Sequence, residues 1–177
     1  MSVNVTYRSN VTAVETFTTV LTGETLSATH NTMDTISSLT ASTVPPVSMM
    51  AAFTKAMTGS AVTIDLMALT GTNGATISGV NLRVQLIKIQ NPLYQGNGTT
   101  PNSPVTITAG NYVITNGSFI FVANAKIVLN AGEEITWCGV DHANVPVISN
   151  TGPVRTFTLT GANGDNINLT IIMGITV

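Results

Sequence analysis

Cys138, Asp141 and His142 are the tightest grouping of reactive side-chain types in the 177-residue chain. A cysteine nucleophile needs a histidine base within hydrogen-bond reach, and usually a third group to orient that base. The run Cys138-Gly-Val-Asp-His142 supplies these types but matches no protease signature, and as a zinc site it lacks a second pair of ligands. The plainer reading is a buried thiol at a strand end, followed by a polar turn. His30 and Asp34 lie four apart and would face together on a helix, but Ser- and Thr-rich surroundings argue against one. Asn163, Asp165 and Asn166 could offer oxygens to calcium, which takes roughly six to eight of them, usually with several carboxylates. One Asp is few, and a turn explains the stretch. Trp137 and Tyr94 could form a sugar-stacking platform, although the place of Trp137 in an alternating strand favours the core. The glycine-rich pieces follow Asn and are not succeeded by Lys-Ser/Thr, so no phosphate loop is indicated. With eight acids and two histidines in the whole chain, any active site would be sparse. These residues assign no catalytic, cofactor-binding or metal site. The expectation is a non-enzyme with no cofactor and no small-molecule substrate.

The elements that carry these residues are unusual in charge. Charged residues make up 8% of the chain, against about 25% in ordinary soluble domains, whereas the hydrophobic fraction is an ordinary 44%. Thr, Asn, Ser and Gly stand in for the missing charge. The net charge is −2, and the six cations, Arg8, Lys55, Arg83, Lys88, Lys126 and Arg155, are scattered. No nucleic-acid footprint is present. A surface this poor in charge resists association weakly, and protein interfaces are depleted in Lys, Glu and Asp. Composition therefore points to a surface kept against partners, including copies of the chain. The single Cys138 excludes a disulfide framework. Met1–Thr12 lacks the apolar core of a secretory signal, and no run approaches the roughly 18 apolar residues of a membrane span. The five Asn-x-Ser/Thr sequons, at Asn4, Asn10, Asn97, Asn116 and Asn168, follow from the composition.

Alternation with period two dominates and predicts an all-β domain spanning 1–177. Val62, Ile64 and Leu66 alternate with polar neighbours, as do Val80, Leu82, Val84 and Leu86. The phase then slips at Leu86-Ile87, predicting a β-bulge or a change of face, and Pro92 ends the run. Val105 and Ile107, Phe119 and Phe121, Ile127 and Leu129, Ile135 and Trp137, and Phe157 and Leu159 mark further strands. A long terminal strand runs from Ile167 to Val177, interrupted by Gly174. Residues 46–57 contain good helix formers but also alternate, and the short link Thr58–Ser60 to the next strand favours a strand. Asn-Gly at 73–74, 97–98, 116–117 and 163–164 predicts tight turns with positive φ. The similar words Leu69–Ala75 and Leu159–Asp165 read as two similar turns rather than a duplication. The predicted architecture is an antiparallel β-sandwich or jelly-roll-like barrel over 46–177. Residues 1–45 form either edge strands or an extended arm ordered by a neighbour. Asn91–Pro104 reads as a surface loop long enough to contact a partner.

The segment Thr58-Gly-Ser-Ala-Val-Thr-Ile-Asp-Leu-Met-Ala-Leu-Thr-Gly-Thr-Asn-Gly-Ala-Thr-Ile-Ser-Gly-Val-Asn-Leu-Arg-Val-Gln-Leu-Ile-Lys-Ile-Gln-Asn-Pro92 resembles stretches in small structural virion proteins of tailed bacteriophages. The C-terminal strand resembles them loosely as well. The resemblance implies a head-decoration, or cement, subunit: a β-sandwich or β-barrel bound to major capsid protein. It implies a homotrimer and a virion location after assembly in the host cytoplasm, and carries over no functional residues. Two other classes fit the same sequence. One is a phage tail, fibre or filament subunit; the other is a β-module that binds host glycan.

Overall fold

The computed structural model describes residues 4–18, 25–40, 42–43, 46–71, 74–108, 126–138, 145–150 and 154–174. Among them the chain is all-β. In order, the strands are β1 (Val5–Thr18), β2 (Thr25–Leu39), β3 (Met49–Ala56), β4 (Ala61–Asp65), β5 (Leu69–Thr70), β6 (Thr76–Ile77), β7 (Arg83–Gln90), β8 (Val105–Thr108), β9 (Lys126–Leu129), β10 (Glu134–Cys138), β11 (Thr156–Thr160) and β12 (Asn166–Gly174).

Eight strands build two four-stranded sheets, ordered β10-β7-β12-β3 and β4-β11-β8-β9. Their pairing is nested in sequence: β3 with β12, β4 with β11, β7 with β10, and β8 with β9, all antiparallel. This is one long hairpin rolled so that its strands are shared between two sheets, the wiring of a jelly roll. Two cross-pairings, β7 with β12 and β8 with β11, complete the sheets. The sandwich stays open at its edges and does not close into a barrel.

The alternation read from the sequence sets which side of each strand is buried. Val84, Ile87 and Ile89 of β7 join Ile167, Leu169, Ile171 and Met173 of β12 in one buried cluster. Ile64, Phe157, Leu159, Val105, Ile107 and Leu129 of the second sheet complete it. Full burial of each such side chain stabilises by about 1.5–3 kcal/mol. The strand chosen for 46–57 is β3, paired with β12 from Met49↔Met173 to Ala56↔Asn166. The slip at Leu86-Ile87 is a bulge: Ile172 faces Leu86 while Met173 faces Val84, leaving Gln85 as the extra residue.

The turns are tight, and Gly74, Gly98 and Gly164 adopt positive φ. Asn97-Gly98 and Asn163-Gly164, however, carry the chain from one sheet to the other instead of closing hairpins, as does Thr58–Ser60. The two similar words have different roles. Leu69-Thr70 is β5, paired with β6 in a small separate hairpin, whereas Leu159-Thr160 ends a central sandwich strand. The predicted strand at Phe119 and Phe121, the turn at Asn116-Gly117, and Ile175 and Val177 lie outside the described residues.

Residues 5–39 are not edge strands of the sandwich. β1 and β2 pair with each other from Val5↔Leu39 to Thr18↔Thr25, with a register shift between Ser9 and Val11, as a two-stranded ribbon of their own.

Candidate functional site

Among the described residues, those with chemical potential do not converge. Cys138 ends β10 and is half-buried. Burial pushes its thiol above the ordinary value, which favours the neutral thiol over the nucleophilic thiolate. Asp141 and His142 lie outside the described residues. His30 is on β2, in register with Ala13. It is therefore in a strand, where positions four apart are about 13 Å from one another, and the helical pairing with Asp34 does not exist. Trp137 packs against the main core from β10, while Tyr94 sits exposed on the loop after β7, bridged to Pro101. Among the described residues no group of three or more His, Cys, Asp or Glu side chains could hold a metal.

Asp165 accounts for its own stretch. It is fully buried and its carboxylate is already occupied. Oδ1 accepts from the Ser103 backbone N–H and Gln95 Nε2, both at 3.1 Å, and Oδ2 accepts from the Ala162 N–H at 2.8 Å. Three of its roughly four lone-pair sites are thus taken by donors, and a single carboxylate so engaged is a poor calcium ligand. The calcium reading of Asn163, Asp165 and Asn166 gives way to a turn, with the Asp165 N–H donating to the Ala162 carbonyl.

Asn91–Pro104 is a surface loop over most of its length, and the same network anchors it. Both ends are nailed into the sandwich. Asn91 Nδ2 donates to the carbonyls of Ser103 and Leu129, each at 2.9 Å. Asn102 Nδ2 approaches Asn91 Oδ1 and the carbonyls of Pro92 and Asn166 at 2.9–3.0 Å. Residues 96–101 form the exposed tip. There Asn97 Oδ1 accepts from the N–H groups of Thr99 and Thr100, and beside it Leu93 and Tyr94 stand outward at 52% and 46% exposure. Partner contacts on a rigid loop cost little ordering entropy. Sequence reasoning missed Asn91, Gln95 and Asn102, because a buried amide is spelled like any loop amide.

The outward face of the β10-β7-β12-β3 sheet divides into two rows. Cys138, Leu86, Ile172 and Met50 are register neighbours across all four strands. Leu39 and Val47, which flank the root of the ribbon, cover this apolar row. Gly174 allows the crossing: a Cβ there would overlap the Pro46 carbonyl oxygen. Farther along, the row is polar. Thr54 Oγ1 donates to Asn168 Oδ1 at 2.8 Å, Asn168 Nδ2 donates to Gln90 Oε1 at 3.0 Å, and Lys88 pairs with Glu134 at 2.8 Å. On the outward face of the other sheet, the registers Thr158↔Thr63, Thr158↔Thr108 and Thr160↔Thr106 set threonines side by side, and Val128 stands 54% exposed. Uncharged β-branched residues fit a pleated surface, and here they replace the charges of an ordinary exterior.

A cleft of about 430 Å³ opens beside the free edge of β3. Phe53, Lys55, Ile64, Asp65, Ala68 and Leu69 are among its lining residues. Phe53 packs on the core yet is only partly buried, because the cleft opens next to it. Asp65 is ion-paired with Arg155 at 3.5 Å. Elsewhere, the Gln85 amide at the bulge is fully buried, with neither its oxygen nor its nitrogen hydrogen-bonded.

No protein-family model, no curated protein and no solved structure matches the chain.

Proposed function

We propose that the chain is a structural virion protein, a decoration or cement subunit that stabilises a protein shell by binding major capsid subunits and copies of itself. The observation that carries this reading is the ribbon of β1 and β2. It is a long, nearly uncharged hairpin that pairs with no strand of the sandwich, and a lone two-stranded hairpin is marginal in water. Such an element gains stability when a neighbour covers it. The jelly roll behind it supplies a rigid body with few charges, and the pinned 91–104 loop supplies a second preformed contact. The mechanism is buried area repeated by symmetry rather than chemistry.

The test uses particles of the virus that carries the gene, assembled without this chain and then incubated with it. Saturable binding at a fixed ratio to the major capsid subunit, with raised resistance of the particle to heat, is the expected result. Removing residues 1–20 is expected to leave a folded sandwich and abolish binding. Unchanged occupancy of the truncated chain, or absence of saturable binding by the full chain, contradicts the reading.

A further inference from the structure

We propose that the ribbon of one copy docks on the β3 edge of a second copy, extending the β10-β7-β12-β3 sheet by two strands. This deepens the reading of the ribbon as a contact element and rests on it.

Three observations meet at β3. Among the described residues it is an end strand, backbone-paired with β12 alone and with the short β5 nearby, so its other edge offers backbone donors and acceptors as a template for an added strand. The cleft beside that edge leaves Phe53 incompletely buried and has room for the inward side chains of an extended segment. Lys55 belongs to the same alternating set as Ala51 and Phe53 and lines the cleft, with no ion pair among the described residues. An inward lysine on an edge strand is a guard against indiscriminate pairing. It becomes a selector for a strand that brings a carboxylate to the matching position.

The chain contains such a strand. Among the described residues β1 bonds only to β2, which leaves its other edge open. Its alternating series Val11, Ala13, Glu15, Phe17 carries a single acid among apolar residues. An antiparallel register that sets Glu15 opposite Lys55 sets Phe17 opposite Phe53. One contact would then neutralise the guard and place an aromatic at the mouth of the cleft. The ribbon, at about 3.3 Å per residue, spans roughly 45 Å, enough to reach a neighbouring copy. Arm exchange of this kind uses both open edges and a single charge pair, in keeping with the 8% charge of the chain.

The experiment is sedimentation velocity of the full chain over a concentration series, comparing wild type with Lys55→Glu, Glu15→Lys and the double reversal, with thermal unfolding checked for each. Each single reversal is expected to weaken self-association about tenfold through the like-charge contact, and the double reversal to restore it to within about threefold. A chain monomeric at every concentration overturns the proposal. So does self-association indifferent to Lys55→Glu, or a double reversal no better than the singles. If a capsid arm is the true occupant of the edge, the isolated chain stays monomeric while Lys55→Glu weakens particle binding. Particle binding is measured separately, so failure of arm exchange and failure of the decoration reading are distinguishable.

Discussion

The sandwich and the ribbon are both antiparallel β-structure drawn from the same Thr-rich alphabet, yet they are held in different ways. In the sandwich, every strand has a second sheet to bury against. Phe157, Ile107, Ile89 and Ile171 meet in one core, and the chain crossings are locked by Asp165, Asn91 and Asn102. In the ribbon, β1 and β2 satisfy one another's backbone, and the described packing onto the sandwich is at the root, through Leu39. Backbone pairing alone does not offset the entropy of ordering some thirty residues. The lesson is that hydrogen-bond register defines a strand, whereas burial decides whether it stands alone.

Four substitutions or modifications sharpen this contrast, in falling order of effect. Phe157→Ala, at the centre of the second sheet, is expected to lower sandwich stability by about 4 kcal/mol, read by denaturant unfolding. A loss under about 1 kcal/mol would mean that the two sheets do not share the core described. Gly174→Ala places a methyl group against Pro46 and should cost about 3 kcal/mol, with loss of the packing of Leu39 and Val47 seen by NMR. Gln85→Leu removes two buried, unbonded polar atoms and should stabilise by about 1 kcal/mol; destabilisation would mean that the amide has a partner. The smallest effect concerns Cys138. Because its folded thiol is raised above the unfolded value, its contribution to stability is present at neutral pH and is lost as pH climbs through the raised value. Alkylation at about pH 8, near the free-thiol value, should therefore be slower in the folded chain than in the unfolded one. Equal rates would place the sulfur in solvent.

Much of the sandwich was legible in the sequence because its signals are local. Alternation at Ile87–Ile89 and at Phe157–Leu159 marks strands directly, and the doubled apolar pair Leu86-Ile87 marks the bulge, whose extra residue is the adjacent Gln85. The glycine of Asn163-Gly164 marks its own positive φ. The wiring was not legible, since β3 pairs with β12 across more than a hundred residues: Thr54 bonds to Asn168, 114 positions away. Turn words could not tell a hairpin from a crossing between sheets. The asparagine network was equally hidden, because Asn91 and Asn102 differ from exposed loop amides only in their surroundings. The candidate chemistry at Cys138 turns on Asp141 and His142, which lie outside the described residues. The end position of β3 in its sheet was not legible either, because an edge is a property of topology.

The measurement that tests the account most directly is hydrogen exchange of the full chain, diluted below its self-association range and then bound to particles. The account predicts that amides of residues 5–18 and 25–38 exchange within seconds in the dilute chain. Those of β7 and β12 should be protected to the level of global unfolding, and the ribbon should gain protection on assembly. A ribbon as protected as β12 in the dilute monomer would contradict the claim that it is completed by a neighbour.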